Sequence, residues 1–230
     1  GLLMEKELAV LGSALEAPKR PFTAIVGGAK VSDKMAVLDR LAALVDTLII
    51  GGGMAATFLA AQGLTVGNSK VEEDRLDYVR DLMTFEPERN GARVLTPTDV
   101  VVAASFSEEA TSRKVPVEDI PDSWLVLDIG PETTETYSQA VGKSKTVLWN
   151  GPMGVFEWES FSNGTKRVAQ AVADLDGSAT TVIGGGSTAD VVARLGLASK
   201  VSHVSTGGGA TLEFIEGKDL PGVAVLMDEV

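Results

Sequence analysis

Short apolar runs alternate with segments of helical spacing along the chain. Strand-like runs occupy residues 22–26, 46–50, 92–103, 124–130, 145–151, 179–184 and 202–207. Helical spacing follows most of these runs, for example over 33–44, 72–86 and 133–142, whereas 104–123 is a polar excursion. Strands that are apolar on both faces and alternate with helices are typical of a mostly parallel sheet covered on both sides. The pattern predicts an α/β fold with a three-layer, doubly wound, Rossmann-like sheet, and no linker divides it, so we expect one domain over residues 1–230.

Glycine-rich turns follow four of the strand-like runs. They read "VGGAK" (26–30), "IIGGGMAA" (49–56), "VIGGGSTAD" (182–190) and "VSTGGGATL" (204–212). In an open parallel sheet such turns lie along one edge, where ligands bind. Glycine lets the backbone approach a ligand, and the helix that follows presents unpaired N–H groups and a partial positive charge. A single triplet is equally consistent with a tight turn alone, but four together favour a cleft for a polyphosphate.

The turn after the first strand carries lysines and no familiar phosphate fingerprint. A Walker loop is absent, and a dinucleotide fingerprint would need a glycine where "VGGAKVSDK" (26–34) has a lysine. Lys30 and Lys34 are four residues apart, so a helix that began near Lys30 would project both side chains from one face. Positive charge is unfavourable at a helix N-terminus, and a bound anion would remove the conflict. The alternative is a solvated surface pair.

Composition limits the partners. A net charge of −12 argues against a broad surface for nucleic acid or anionic membrane. The sequence has no cysteine, so it forms neither a disulfide nor a thiolate metal site. The apolar runs are too short to span a bilayer, and no basic segment of the signal-peptide type opens the chain. We therefore expect a cytoplasmic protein without nucleic-acid or membrane partners.

Longer motifs resemble a known family. They are "GLLMEKEL" (1–8), "VGGAKVSDK", "IIGGGMAATF" (49–58), "LWNGPMGVFEWESF" (148–161), "IGGGSTAD" (183–190) and "HVSTGGGATLEFIEGKDLPGV" (203–223). In order and spacing they resemble the C-terminal half of phosphoglycerate kinase over essentially the whole chain. That family transfers a phosphoryl group between 1,3-bisphosphoglycerate and ADP, giving 3-phosphoglycerate and ATP, with Mg²⁺. The resemblance implies a glycolytic kinase whose ADP/ATP site lies in this chain.

The resemblance also implies roles at the phosphates. Lys34 resembles the lysine that holds the nucleotide phosphates, and Lys30 the one that meets the transferring phosphoryl group. The implied helix N-terminus at the phosphates comprises Gly185, Gly186 and Thr188. The implied loop facing the transferring group comprises Gly207, Gly208 and Gly209. Lys30, Gly186, Gly208 and Gly209 form the implied catalytic set, since phosphoryl transfer needs positioning and charge neutralisation and no side-chain nucleophile.

Other residues resemble the family's nucleoside site. Those implied to lie against the adenine are Gly51, Gly52, Val126, Leu127 and Val155. Those implied to form the loop beneath the nucleotide are Asn150, Gly151 and Pro152. Glu157 resembles the carboxylate that accepts hydrogen bonds from the ribose hydroxyls.

One residue departs from the family pattern. The family usually has aspartate, which helps to hold the nucleotide-bound Mg²⁺, where this chain has Ser187. A hydroxyl caps a helix and donates to phosphate, but it attracts Mg²⁺ less than a carboxylate does. Ser187 is thus a weak metal ligand within the nucleotide site, and water or another acid is the alternative.

The family's N-terminal half, with the arginine and histidine cluster that binds the triose, has no counterpart in these residues. The resemblance therefore implies an excised, monomeric nucleotide domain that meets 3-phosphoglycerate or 1,3-bisphosphoglycerate only together with the other domain. Two alternatives stay open. Ser187 favours a nucleotide-binding module that has lost catalysis, and the missing fingerprint weighs against a dehydrogenase-like nucleotide enzyme.

Overall fold

A computed structural model describes residues 11–12, 15–84, 91–205 and 213–217 of the chain. The strands are β1 Phe22–Val26, β2 Thr47–Ile50, β3 Arg93–Leu95, β4 Asp99–Ala103, β5 Ser112–Pro116, β6 Leu125–Ile129, β7 Thr146–Asn150, β8 Thr180–Gly184 and β9 His203–Ser205. The longer helices are α1 Met35–Leu44, α2 Ala55–Ala61, α3 Leu76–Met83, α4 Pro131–Gly142, α5 Asn163–Ala173 and α6 Gly186–Arg194. Short 3₁₀ helices cover Ser32–Lys34, Glu73–Arg75, Val117–Asp119, Glu159–Phe161 and Ala198–Lys200.

Six strands form a parallel sheet in the order β3-β2-β1-β7-β8-β9. The register aligns the carboxyl ends of the central strands, because Val26 lies beside both Ile50 and Asn150, and Asn150 beside Gly184. The turns that follow β1, β2, β7 and β8 therefore start side by side on one edge of the sheet. This arrangement confirms the predicted α/β class and brings three of the four glycine turns together.

Alternate strand residues enter two cores, one on each face of the sheet. In β1, Phe22, Ala24 and Val26 pack against α1, α2 and α3. Ile25 points the other way and shares a core with Trp149 and with residues of α4, α5 and α6. Each fully buried large side chain contributes about 1.5–3 kcal/mol. The sheet is thus the middle of three layers, as predicted.

Residues 92–123 differ from the sequence prediction. The run 92–103, predicted as one strand, is two strands, β3 and β4, that belong to different sheets. Pro97 lies between them and has no N–H to continue a ladder. The predicted polar excursion over 104–123 contains β5, whose mostly exposed side chains gave no apolar signal. β5 and β6 pair antiparallel with β4 in a small sheet, so the strand predicted at 124–130 lies outside the large sheet.

Within the part of the chain that the structure describes, no helix has both the length and the apolar character needed to cross a membrane.

Candidate functional site

Lys34 turns inward, toward the ends of the central strands. Its Nζ donates to the carbonyl oxygen of Gly27 and to Oδ1 of Asn150 at 2.7 Å, with a longer bond of 3.2 Å to the Asn150 carbonyl. Burial lowers the pKa of Lys34 from 10.5 to about 8, although the charge of Asp33 raises it. Three acceptors match the three N–H donors of an ammonium group. The Lys34 ammonium group is therefore fixed at the carboxyl ends of β1 and β7.

Lys30 lies elsewhere. It precedes the first helical residue, Ser32, and its side chain is exposed. The two lysines thus do not share one face of a helical turn, because the helix begins later than that prediction assumed. The exposed side chain of Lys30 is accessible to an anion in solution, whereas the Lys34 ammonium group is fixed by the turns around it.

A carboxylate already sits at the start of that helical segment. Oε2 of Glu72 accepts the N–H of Val31 at 2.6 Å and that of Ser32 at 3.3 Å. Burial would raise the pKa of Glu72, but the hydrogen bonds from Ser32 and Val31 and the charge of Lys30 lower it overall. The anion predicted at this N-terminus is therefore supplied by the chain itself. No sequence pattern predicted this contact, since the charges of residues 72–86 indicated only a solvated helix face.

The glycines of three turns pack backbone against backbone. A Cβ on Gly27 would lie 2.0 Å from the carbonyl oxygen of Pro152, and one on Gly52, where φ is 71°, would lie 2.4 Å from the nitrogen of Gly28. Gly51 would place a Cβ 2.4 Å from Sδ of Met153. At these positions the tight-turn explanation holds, because a side chain would separate the turns.

The turn after β8 is open. Gly185 has a φ of 94° and precedes α6, and a Cβ on Gly186 would meet nothing within 4 Å. Gly186 and Ser187 are exposed, whereas Thr188 is buried and its Oγ1 accepts the N–H of Gly151 at 2.8 Å. Thr188 therefore ties α6 to the turn after β7. The free N–H groups of the first turn of α6 face open space, which suits an anion.

Asn150 has a buried donor without a partner. Only 5% of the residue is exposed, and among the residues that the structure describes Nδ2 has no hydrogen-bond partner, while Oδ1 accepts from Lys34. A Cβ on Gly185 would lie 3.2 Å from Nδ2, which places this donor beside the start of α6. Buried polar groups nearly always have partners, so an orphaned donor next to an open helix N-terminus indicates a ligand oxygen.

A second group of predicted residues lies around the loop after β7. The N–H of Val155 donates to the carbonyl oxygen of Leu127 at 2.9 Å, so the loop joins the middle of β6. Both side chains belong to a small apolar cluster that includes Trp158. Exposed Phe106 stacks on Trp158, with ring centroids 4.7 Å apart. Glu157 is exposed. The backbone of Val126 is fixed by its N–H, which donates to Ser69 Oγ at 2.9 Å.

Asp128 lies under the same loop and was not singled out from the sequence. It is 2% exposed, and its two oxygens accept the N–H groups of Ile129 and Gly164, each at 2.9 Å. Burial raises the pKa of Asp128 from 3.8 to about 7, although both hydrogen bonds lower it. A Cβ on Gly154 would lie 2.4 Å from its Oδ1, so the loop rests directly on this carboxyl group.

Comparisons with known proteins agree with this geometry. The family model "Phosphoglycerate kinase" matches residues 1–218. The chain belongs to the phosphoglycerate kinase family. A phosphoglycerate kinase of Herpetosiphon aurantiacus is 56% identical over 229 residues, which is 100% of this chain and 57% of that relative. One of Moorella thermoacetica is 52% identical over 100% of this chain and 58% of its own length.

Solved structures of phosphoglycerate kinases share the fold. The enzyme from Coxiella burnetii gives a TM-score of 0.92 at 42% identity and covers 98% of this chain and 58% of its own. The enzyme from Pyrococcus horikoshii gives a TM-score of 0.85 at 31% identity, with 99% and 56% covered. The chain thus spans somewhat more than half the length of the phosphoglycerate kinases that it matches.

Two features that the resemblance implied, the glycine loop 207–209 and the metal ligand, are not part of the contacts described above. Gly207, Gly208 and Gly209 lie outside the described residues. Near α6, the carboxylate closest in sequence to Ser187 is Asp190, which forms an ion pair with Arg194 at 2.8 Å. Among the described residues, no cluster of three or more acids and histidines suits a metal ion.

Proposed function

We propose that this chain supplies the ADP/ATP site of a phosphoglycerate kinase. The reaction is the reversible transfer of a phosphoryl group between 1,3-bisphosphoglycerate and ADP, giving 3-phosphoglycerate and ATP. The observation that carries the proposal is the unpartnered Nδ2 of Asn150 beside the open start of α6, with the Lys34 ammonium on the other side of the same amide. Membership of the family supplies the reaction class.

The phosphates would lie across the ends of β1, β7 and β8. Asn150 Nδ2 and the N–H groups of Gly186 and Ser187 donate to phosphate oxygens, and Lys34 neutralises their charge. Lys30, which is exposed at the mouth of the first turn, meets the phosphoryl group in flight. Such donors stabilise charge on the transferred group without covalent chemistry by the protein. Gly208 and Gly209 complete this set in the proposal.

The nucleoside would lie on the loop after β7. Val155 and Leu127 offer an apolar surface, with Val126 on the same strand as Leu127. Gly51, Gly52, Gly151 and Pro152 shape the floor beneath it. Exposed Glu157 accepts hydrogen bonds from the ribose hydroxyls. No side chain among these reads the edge of a purine, so we expect loose selection of the base and strict selection of the phosphates.

We expect Mg²⁺ to bind as a complex with the nucleotide. Asp190 of α6 is ion-paired with Arg194, and the described residues contain no cluster of three or more acids and histidines. They therefore fit a metal held chiefly by phosphate oxygens and water, with the Ser187 hydroxyl as a neutral neighbour. The proposal further includes one domain over residues 1–230, a monomeric state, a cytoplasmic setting and a separate domain that binds the triose.

Calorimetry tests the site on the 230-residue chain. We expect ADP and GDP to bind similarly and AMP to bind more weakly, because AMP lacks the phosphate nearest Lys34. An affinity for AMP equal to that for ADP would contradict the phosphate site.

A coupled assay tests the domain assignment. The chain should show no useful turnover alone, because it lacks the arginine cluster that positions the acyl phosphate, and positioning contributes about 7–11 kcal/mol to such steps. The control is a full-length phosphoglycerate kinase. Turnover within about tenfold of the control, a difference of about 1.4 kcal/mol, would place the triose site in this chain.

A further inference from the structure

Glu72 connects the turn after β1 to helix α2. It lies between α2 and the 3₁₀ helix Glu73–Arg75, about forty residues along the chain from the turn after β1. Its main-chain N–H donates to Oγ1 of Thr57 at 3.2 Å, and Thr57 belongs to α2, which begins directly after the turn that follows β2. Its side chain accepts from Val31 and Ser32 in the turn after β1. One residue thus links the turn after β1 to the helix that follows the turn after β2.

The turn after β1 needs this contact. The N–H groups of Val31 and Ser32 begin the 3₁₀ helix Ser32–Lys34, so they have no partner within the helix, and no neighbouring side chain caps it. The carboxylate of Glu72 satisfies both groups with a charge that matches the helix N-terminus. Lys30 stands immediately before this capped segment and Lys34 lies within it, so the carboxylate fixes the backbone between the two lysines.

Other contacts fix other parts of this turn. The N–H of Met54 donates to the carbonyl oxygen of Gly28 at 2.9 Å, Lys34 Nζ donates to Asn150, and the side chain of Val31 is buried in the core. For the N–H groups of Val31 and Ser32, Glu72 is the long-range hydrogen-bond partner that the described residues show. Its charge also lies near enough to Lys30 for the two to interact.

We propose that Glu72 is a positioning residue for the phosphate end of the nucleotide site, acting through the Lys30–Lys34 turn. The inference rests on the proposed ADP/ATP function. Glu72 does not touch the nucleotide; it fixes the turn from behind, so its loss weakens binding of the phosphates and leaves binding of the nucleoside unchanged.

The test compares ADP with adenosine on the 230-residue chain, by calorimetry for ADP and by two-dimensional NMR titration for adenosine. Glu72→Gln keeps the shape of the side chain and removes its charge, and we expect ADP to bind about tenfold more weakly. Glu72→Asp keeps the charge near Lys30 but shortens the reach, and we expect ADP affinity to fall there too. Adenosine should bind all variants within about twofold of the unsubstituted chain, because its site lies on the loop after β7.

Glu73→Gln is the matched control, since it removes the same charge from the adjacent, exposed residue. We expect it to bind ADP like the unsubstituted chain. Equal ADP affinity in Glu72→Gln, or tighter binding, would overturn the inference, because Glu72 would then be a bystander or a competing anion. Equal weakening of ADP and adenosine would also overturn it, since that pattern marks a general loss of structure. Absence of ADP binding by the unsubstituted chain would overturn the proposed function as well.

Discussion

From the inward position of Lys34 we predict that nucleotide affinity depends on pH. Burial lowers the pKa of this ammonium from 10.5 to about 8, which corresponds to about 3 kcal/mol against the charged form. The folded-state pKa is thus depressed for a base, so the free chain loses the charge as the pH rises through 8. A phosphate beside Lys34 favours the charged form and would return the pKa toward its ordinary value.

The expected change follows from these values. With a pKa of about 8 in the free chain, Lys34 is about nine-tenths charged at pH 7 and about one-tenth charged at pH 9. If only the charged form binds phosphate well, ADP affinity should be about tenfold weaker at pH 9 than at pH 7. Binding at pH 9 should also take up nearly one proton for each nucleotide.

Calorimetry in two buffers of different ionisation enthalpy measures both quantities. Lys34→Met is the control, because methionine keeps an unbranched chain without a charge, so the variant reports any titration of the nucleotide itself. We expect that variant to bind ADP weakly and with equal affinity at pH 7 and pH 9. Equal affinity of the unsubstituted chain at the two pH values, without proton uptake, would show that Lys34 stays on Gly27 and Asn150 and never meets phosphate.

Three further outcomes are expected. Lys30→Ala in a full-length enzyme that carries this domain should leave ADP affinity unchanged and abolish turnover, because a group that contacts only the transferring phosphoryl acts on the transition state. Calorimetry measures the affinity and a coupled assay the turnover. Lost affinity with retained turnover would show that the roles of Lys30 and Lys34 are interchanged. Ser187→Asp should increase the Mg²⁺ dependence of ADP affinity by adding a hard anionic ligand, and titrations with and without Mg²⁺ that gave identical results for both proteins would place the metal elsewhere. Asp128 has a pKa raised from 3.8 to about 7, so the folded chain takes up a proton below pH 7 that the unfolded chain does not bind. Its contribution should make the chain about 1.4 kcal/mol more stable at pH 6 than at pH 8, and Asp128→Asn should remove that difference in urea unfolding.

The sequence alone determined the class of the fold and predicted the edge of the sheet on which the proposed site lies. Apolar strands that alternate with helical spacing leave few arrangements other than a covered parallel sheet, because each element must bury one face. The glycine turns were predicted to meet because the strand-to-helix turns of a parallel sheet lie along one edge. The register of Val26, Ile50 and Gly184 confirms this for the turns after β1, β2 and β8. These conclusions depend on local periodicity and on the direction of the strands, both of which can be read within a short stretch of chain.

Only the tertiary structure decided which way the ionisable side chains point and which groups they contact. The sequence placed Lys34 in the right turn, but its inward orientation depends on Asn150, more than a hundred residues away. In the sequence, Glu72 is one acid of a charged helical segment and Asp128 is part of a strand. In the structure, each carboxylate accepts a backbone N–H from a distant part of the chain. β4, β5 and β6 likewise leave the large sheet because of pairings among themselves. A carboxylate or an ammonium is drawn to partners that folding brings from distant parts of the chain, and no local pattern records them.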